Sequence, residues 1–171
     1  MTEEFQRGWR PGVIGDVVRA HATYYAAEWG FGMAFEARVA GDMAAFLGRY
    51  DPERDLLLTA DGAAGFLASV AIDGSDPALA DGEAHLRWFI ATDAARGRGV
   101  ARRLLAASLT FAAARGFRSC YLDTFAGLDA ARTLYERHGF RLEHEADDMT
   151  WGVRVREQRF RSDLPATGAA H

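Results

Sequence analysis

Phe89-Ile90-Ala91-Thr92-Asp93-Ala94-Ala95-Arg96-Gly97-Arg98-Gly99-Val100-Ala101-Arg102-Arg103-Leu104-Leu105 is the stretch that decides the fold of this chain. The apolar run Leu86 to Ala91 reads as the end of a buried strand, and Thr92–Ala95 as a short turn. From Val100 onward the apolar positions Val100, Leu104, Leu105 and Ala112 fall at helical spacing. A glycine-rich turn at a helix N-terminus makes an anion cradle. The first-turn N–H groups lack intrahelical partners, the helix dipole is positive there, and glycine lets a phosphate approach the backbone. Arg98 and its neighbours add positive charge. Two familiar phosphate loops are excluded. The dinucleotide fingerprint needs glycine or alanine where Arg102 stands, and the ATP-binding P-loop needs a lysine, of which the chain has none.

Composition narrows the classes further. Hydrophobic residues make up 49% of the 171 positions and aromatics 12%, enough to bury a core and too many for disorder. A net charge of −4 gives no reason to expect nucleic acid or an anionic membrane as partner. The single cysteine, Cys120, precludes an internal disulfide and fits a reducing cytoplasm. No apolar run approaches the ~20 residues that span a bilayer. These features predict a cytoplasmic protein. A homodimer stays open.

Working outward toward the N-terminus, Met1–Gln6 is expected to be loose and Trp9–Ile14, with Pro11, to be a short edge strand. Asp16 is placed to N-cap a helix running to about Trp29. A second helix, Ala34 to Leu47, carries Phe35, Val39, Met43 and Phe46 on one face. The aromatics His21, Tyr24, Tyr25, Trp29, Phe31 and Phe35 read as core packing in preference to a pocket wall. Asp55–Thr59 and Ala64–Ile72 read as strands joined at Asp61-Gly62, and Glu83–Ala91 as the strand entering the glycine turn. Toward the C-terminus, the long helix ends near Gly116 and a strand spans Phe117–Thr124. A helix spans Leu128–His138, and strands are expected at Phe140–His144 and Trp151–Phe160. Ser162–His171 reads as a frayed tail, disordered from residue 165. The expectation is an α/β (α+β) domain over residues 9–164, with a mixed central sheet of about seven strands and about four helices.

Arg96-x-x-Gly99-x-Ala101, after a strand and opening a helix, resembles the pyrophosphate loop of the GCN5-related N-acetyltransferase (GNAT) family. Leu122-Asp123-Thr124 followed by Ala130-Ala131-Arg132-x-Leu134-Tyr135-Glu136-x-x-Gly139-Phe140 is similar to the family's fifth strand and its succeeding helix. The resemblance implies the GNAT fold and acetyl-CoA as cosubstrate. The cofactor-binding residues it implies are Phe89, Ile90 and Ala91 along the pantetheine arm and Arg96, Gly97, Arg98, Gly99, Val100, Ala101 and Arg102 about the pyrophosphate. It implies transfer of acetyl to an amine (small molecule, amino acid or peptide) by direct attack, with Tyr135 protonating the departing thiolate. Phe125 stands where family members often keep an asparagine.

The base that would deprotonate the amine is open. Glu83, His85 and Arg87 alternate on one strand face, so Glu83 or His85 can line the cleft, and Glu28 and Asp123 are further candidates. His144, between Glu143 and Glu145, lacks a second histidine at ligand spacing, so no metal is expected. A non-catalytic acyl-CoA-binding sensor or regulatory module is the alternative to the enzyme.

Overall fold

Alternating and helical apolar periods resolve into one sheet covered on both faces. In the computed structural model, which describes residues 5–166, the elements are β1 (Phe5–Arg7), α1 (Val13–Trp29), α2 (Met33–Gly48), β2 (Leu56–Gly62), β3 (Gly65–Asp73), β4 (Glu83–Ala91), α3 (Val100–Ala114), β5 (Ser119–Phe125), α4 (Asp129–Arg137), β6 (Arg141–Asp148) and β7 (Val155–Asp163). The described residues thus hold the expected mixed sheet of seven strands with four α-helices. Strand order is β1-β2-β3-β4-β5-β7-β6. Every neighbouring pair is antiparallel except β4–β5, whose parallel alignment demands a crossover that α3 supplies.

The two faces carry separate cores. Ala84, Leu86, Cys120, Leu122 and Phe160 pack on Val100, Leu104, Leu105 and Phe111 of α3 and Tyr135 of α4. Leu57, Ala71 and Trp88 pack on Val13, Val17 and Val18 of α1 and on Phe35, Val39, Met43 and Phe46 of α2. The four α2 residues are those whose spacing marked its inner face. Between α2 and the sheet, Asp73 is fully buried and takes both nitrogens of Arg49 at 2.6 and 2.7 Å, while Arg87 bridges Asp73 and Asp42. Burial pushes the Asp73 carboxyl up, and the two guanidiniums more than reverse this, leaving it below its ordinary value.

Several boundaries differ from the sequence expectation. The first edge strand is Phe5–Arg7, registered against Leu58–Ala60, so Phe5 and Gln6 are part of the sheet. Trp9–Ile14 is not a strand: Pro11 lies in a turn that ends at Gly12, in the left-handed region at φ 85°, and α1 starts at Val13. Asp16 is therefore in the first helical turn, where it pairs with Arg10 at 2.9 Å and favours the helix dipole. In the β2–β3 hairpin, Asp61 and Gly62 are paired to Phe66 and Gly65, and Ala63-Ala64 form the turn. A register shift at Ala60/Asp61 moves the reversal along the chain. The last two strands end later than expected, and the second of them starts at Val155, because residues 151–154 lie in the turn between β6 and β7. Exposed β6 shows no apolar alternation because ion pairs do its work: Glu143 with Arg161, and Glu145 and Asp147 with Arg156. β7 includes Ser162 and Asp163, and the Leu164 amide donates to Arg118 O at 2.9 Å. The rest of the expected tail, from residue 167, lies outside the described residues.

Candidate active site

The sheet splits where β4 and β5 diverge. They share three rungs, Glu83–Ser119, Ala84–Cys120 and His85–Tyr121, and then part, although β4 continues to Ala91 and β5 to Phe125. Among the described residues no strand pairs with the edge of β4 that faces β5 from Leu86 onward, which leaves main-chain groups there available to an extended ligand.

At the top of this gap a 3-10 turn, Asp93–Ala95, leads through Arg96–Gly99 into α3. Gly97 and Gly99 hold φ 74° and 69°, a region that costs a side-chain-bearing residue energy. A Cβ at either would meet nothing within 4 Å, so the loop borders open space. Gly99 caps the helix without a side-chain bond, and Arg103 N–H to Gly99 O is the first helical hydrogen bond. The amides of Val100, Ala101 and Arg102 therefore have no intrahelical acceptor. The Arg98 amide, just before them, donates to Ala95 O at 3.3 Å. Arg96 is exposed and pairs with Asp93 at 2.7 Å. Beside the cradle, a groove of about 460 Å³ between α3 and α4 is lined by Arg102, Arg103, Ala106, Leu134, Arg137 and His138.

Within β4 the sequence concealed a bulge. Ser69 is opposite Ile90 and Ala71 is opposite Arg87, so Trp88 and Phe89 together face Val70. Trp88 adopts φ 47°, the only positive value among the described non-glycine residues, a conformation that costs a bulky residue about 1–3 kcal/mol. The extra residue sends Trp88 to the α1/α2 core and Phe89 to the other face, where its ring lies 5.8 Å from that of Tyr135. The Ser69 hydroxyl, fully buried, donates to Trp88 O at 2.7 Å. Neither residue was singled out from the sequence. A serine inside the apolar run Phe66–Ile72 is the one signal that could have found it.

Tyr135 projects from α4 into the core beside the gap, 5% exposed, against Phe89, Phe140 and Phe160. Burial, with a smaller contribution from Tyr25, pushes its hydroxyl well above the ordinary tyrosine value, so it holds its proton at neutral pH. Tyr25 itself is packed among Phe31, Phe35, Trp29 and Phe125. Phe125 closes the far end of β5 within this aromatic cluster, which also takes in Trp151. Core packing is thus what most of the helical aromatics do, with Tyr24 left exposed.

The base candidates fare differently. The Glu83 carboxylate is bonded to Arg161 and takes the Ala80 amide at 3.3 Å. His85 lies at the last rung before the split, stacked on Tyr121 at 4.2 Å with Nε2 3.7 Å from Asp123. Burial first, then the nearby Arg87 charge, lowers its pKa to about 4. His85 is therefore neutral at pH 7 and a weak proton acceptor. Asp123 is held by two bonds from Arg159, at 2.8 and 3.1 Å. The roles expected of Glu83 and His85 thus meet a carboxylate already engaged and an imidazole of low basicity. Among the described residues no three His, Cys, Asp or Glu side chains come together as a metal site, and no helix is long and apolar enough to cross a membrane.

Solved structures share this architecture. Ribosomal-protein-alanine N-acetyltransferase from Brucella melitensis superposes with a TM-score of 0.75 at 14% identity, over 94% of this chain and 99% of that one. A GCN5-related N-acetyltransferase from Kribbella flavida gives 0.72 at 19%, over 94% and 98%. A phosphinothricin acetyltransferase from Sinorhizobium meliloti, solved with AcCoA, gives 0.66 at 15%, over 99% and 93%. At such identities the likeness shows the fold. No curated protein matches the sequence. The profile of the Acetyltransferase (GNAT) family, however, matches residues 16–140, from α1 through α4 to Phe140. That match spans well over half of the chain, and the protein belongs to the GNAT acetyltransferase family.

Proposed function

We propose that the protein is an N-acetyltransferase that moves the acetyl group of acetyl-CoA to an amine by direct attack in a ternary complex. The observation that carries this reading is the split between β4 and β5 directly below the glycine-lined start of α3, with Tyr135 beside it. The pantetheine arm would lie along Phe89–Ala91, and the pyrophosphate on the Val100–Arg102 amides, with Gly97 and Gly99 giving it room and Arg96 and Arg98 near by. The groove with Arg102, Arg103 and Arg137 suits the 3′-phosphate of the adenosine. That the Sinorhizobium meliloti enzyme was solved with AcCoA supports the same cosubstrate here.

The neutral amine nitrogen attacks the thioester carbonyl carbon, the C–N bond forms, the C–S bond breaks, the thiolate takes the Tyr135 proton, and the proton that the adduct nitrogen sheds goes to solvent, from which Tyr135 is reprotonated. With Glu83 bonded to Arg161 and His85 of low basicity, the ammonium, of pKa near ~10.4, loses its proton to solvent before attack. kcat/KM therefore keeps rising with pH toward the acceptor's own pKa. A plateau reached near pH 7 would instead assign an enzymic base. Thiol release from acetyl-CoA against a panel of amines tests the whole reading. Turnover with any amine supports it. Tight acetyl-CoA binding without turnover supports the acyl-CoA sensor, a reading that the Phe125 cluster at the far end of the gap favours.

A further inference from the structure

β3 clamps β4 at both ends of the segment beside the gap. At the upper end Leu67 O accepts the Thr92 amide at 2.8 Å and the Thr92 hydroxyl at 3.1 Å. At the lower end the buried Ser69 hydroxyl holds Trp88 O at 2.7 Å. Between them lie Phe89, Ile90 and Ala91. The two clamps differ in kind. Thr92 uses its amide and its hydroxyl, whereas Ser69 acts through its side chain alone, at the one described non-glycine residue that has positive φ. The peptide unit joining Trp88 to Phe89 is trans, so its N–H points opposite to its C=O. With the carbonyl fixed toward Ser69 of β3, the Phe89 amide points away from β3, to the side that β5 has vacated.

We propose that Ser69 is a positioning residue for acyl transfer: by holding the Trp88 carbonyl against β3, it keeps the bulge in its left-handed turn and aims the Phe89 amide at the thioester oxygen. This rests on the reading that acetyl-CoA occupies the gap. As the amine adds, negative charge grows on that oxygen, and a donor already oriented stabilises it without reorganisation. Ser69 touches no reacting atom. It acts through the peptide unit that it orients. Without the hydroxyl, the Trp88 carbonyl loses the bond that holds it to the Ser69 side chain, and the peptide unit is freer to turn.

The thioester itself reports the effect. Isotope-edited infrared spectra of acetyl-CoA carrying a ¹³C carbonyl are recorded free, on the wild-type chain and on Ser69→Ala. The wild type is expected to lower the carbonyl stretch relative to free acetyl-CoA, and Ser69→Ala to return most of that shift. In parallel, calorimetry is expected to show that wild type prefers acetyl-CoA to free CoA, with Ser69→Ala losing roughly 2- to 10-fold of that preference, the worth of one hydrogen bond. CoA affinity itself should stay unchanged. If Ser69→Ala does not fold, Ser69→Cys, close in size but a far weaker donor, is read in the same way. A carbonyl stretch identical in wild type and variant, both loaded with acetyl-CoA, overturns the role of Ser69 alone. Failure of the wild type to bind acetyl-CoA overturns the functional reading, and this inference with it.

Discussion

Tyr135 and Cys120 are both buried groups with raised pKa values, yet they predict opposite behaviour. Tyr135→Phe keeps the ring contacts with Phe89, Phe140 and Phe160 and removes one oxygen. Stability should therefore move by no more than about 1 kcal/mol. If its proton goes to the thiolate, kcat falls by roughly 10²–10⁴ with acetyl-CoA affinity unchanged. Steady-state kinetics paired with circular dichroism checks this, and full kcat in a folded variant returns Tyr135 to a packing role. Cys120, fully buried near the start of β5 with its thiol pushed up to about 12 by burial, should stay unmodified in the native protein. A thiol reagent is expected to label it only after denaturation, and the native chain incubated with acetyl-CoA should gain no acyl group there. The place of Tyr135 on a helix after β5 was legible from its neighbours Leu134, Gly139 and Phe140, because a motif is local. Ser69 and Trp88 were not, because a bulge belongs to the pairing of two strands, and neither strand alone records which residue is the extra one.

Elements were legible where burial imposes a period and obscure where it does not. α2 was readable from Phe35, Val39, Met43 and Phe46, and α3 from Val100, Leu104 and Leu105, since each presents one stripe to a sheet. β6 was cut short in the sequence reading because its pairing with β7 is secured by charge, Glu145 and Asp147 to Arg156, and charge leaves no two-residue apolar rhythm. The start of α3 combines both lessons. Its glycines were plain in the sequence, whereas the engagement of the Arg98 amide by Ala95 needed coordinates. Gly99→Asp puts a carboxylate into the open space where the pyrophosphate would lie. Calorimetry is expected to show acetyl-CoA affinity falling at least 10-fold, ~1.4 kcal/mol. Unchanged affinity in a folded variant removes the cradle from the site. Dephospho-CoA should also bind more weakly than CoA, and Arg137→Ala should shrink the difference between them. Equal affinities would take the α3/α4 groove out of the cofactor's reach.

At the scale of the whole molecule, acid should loosen the fold before it titrates most carboxylates. His21, buried with Nδ1 2.8 Å from Val17 O, and His85 both have pKa values lowered from 6.5 to about 4, burial being the first cause in each. Between those values the unfolded chain binds protons that the folded one refuses. Stability is therefore full above about pH 6.5 and declines as pH falls toward 4. At pH 5 the loss is about 2 kcal/mol per histidine. Asp73 adds a further loss below the ordinary carboxylate range, where its paired, depressed group finally protonates. Urea unfolding at pH 7 and pH 5 measures the first loss, and His21→Gln should recover about half of it. Equal stabilities at the two pH values would contradict the assigned burial of both rings.

The split sheet has a mechanical consequence. Two halves of the sheet, β1 to β4 and β5 to β7, share only three backbone rungs, at one end of β4 and β5, in the manner of a clothes-peg, with α3 on one face and the Phe125 cluster on the other packed across the joint. A rod wedged between the jaws would brace both halves at once. Saturation at 100 times the dissociation constant is worth about 2.7 kcal/mol of added stability. In amide hydrogen exchange that gain should appear in β6 and β7, well away from the wedge, as well as in β4 that grips it. Slowing confined to β4 and the start of α3 would mean that the halves move independently.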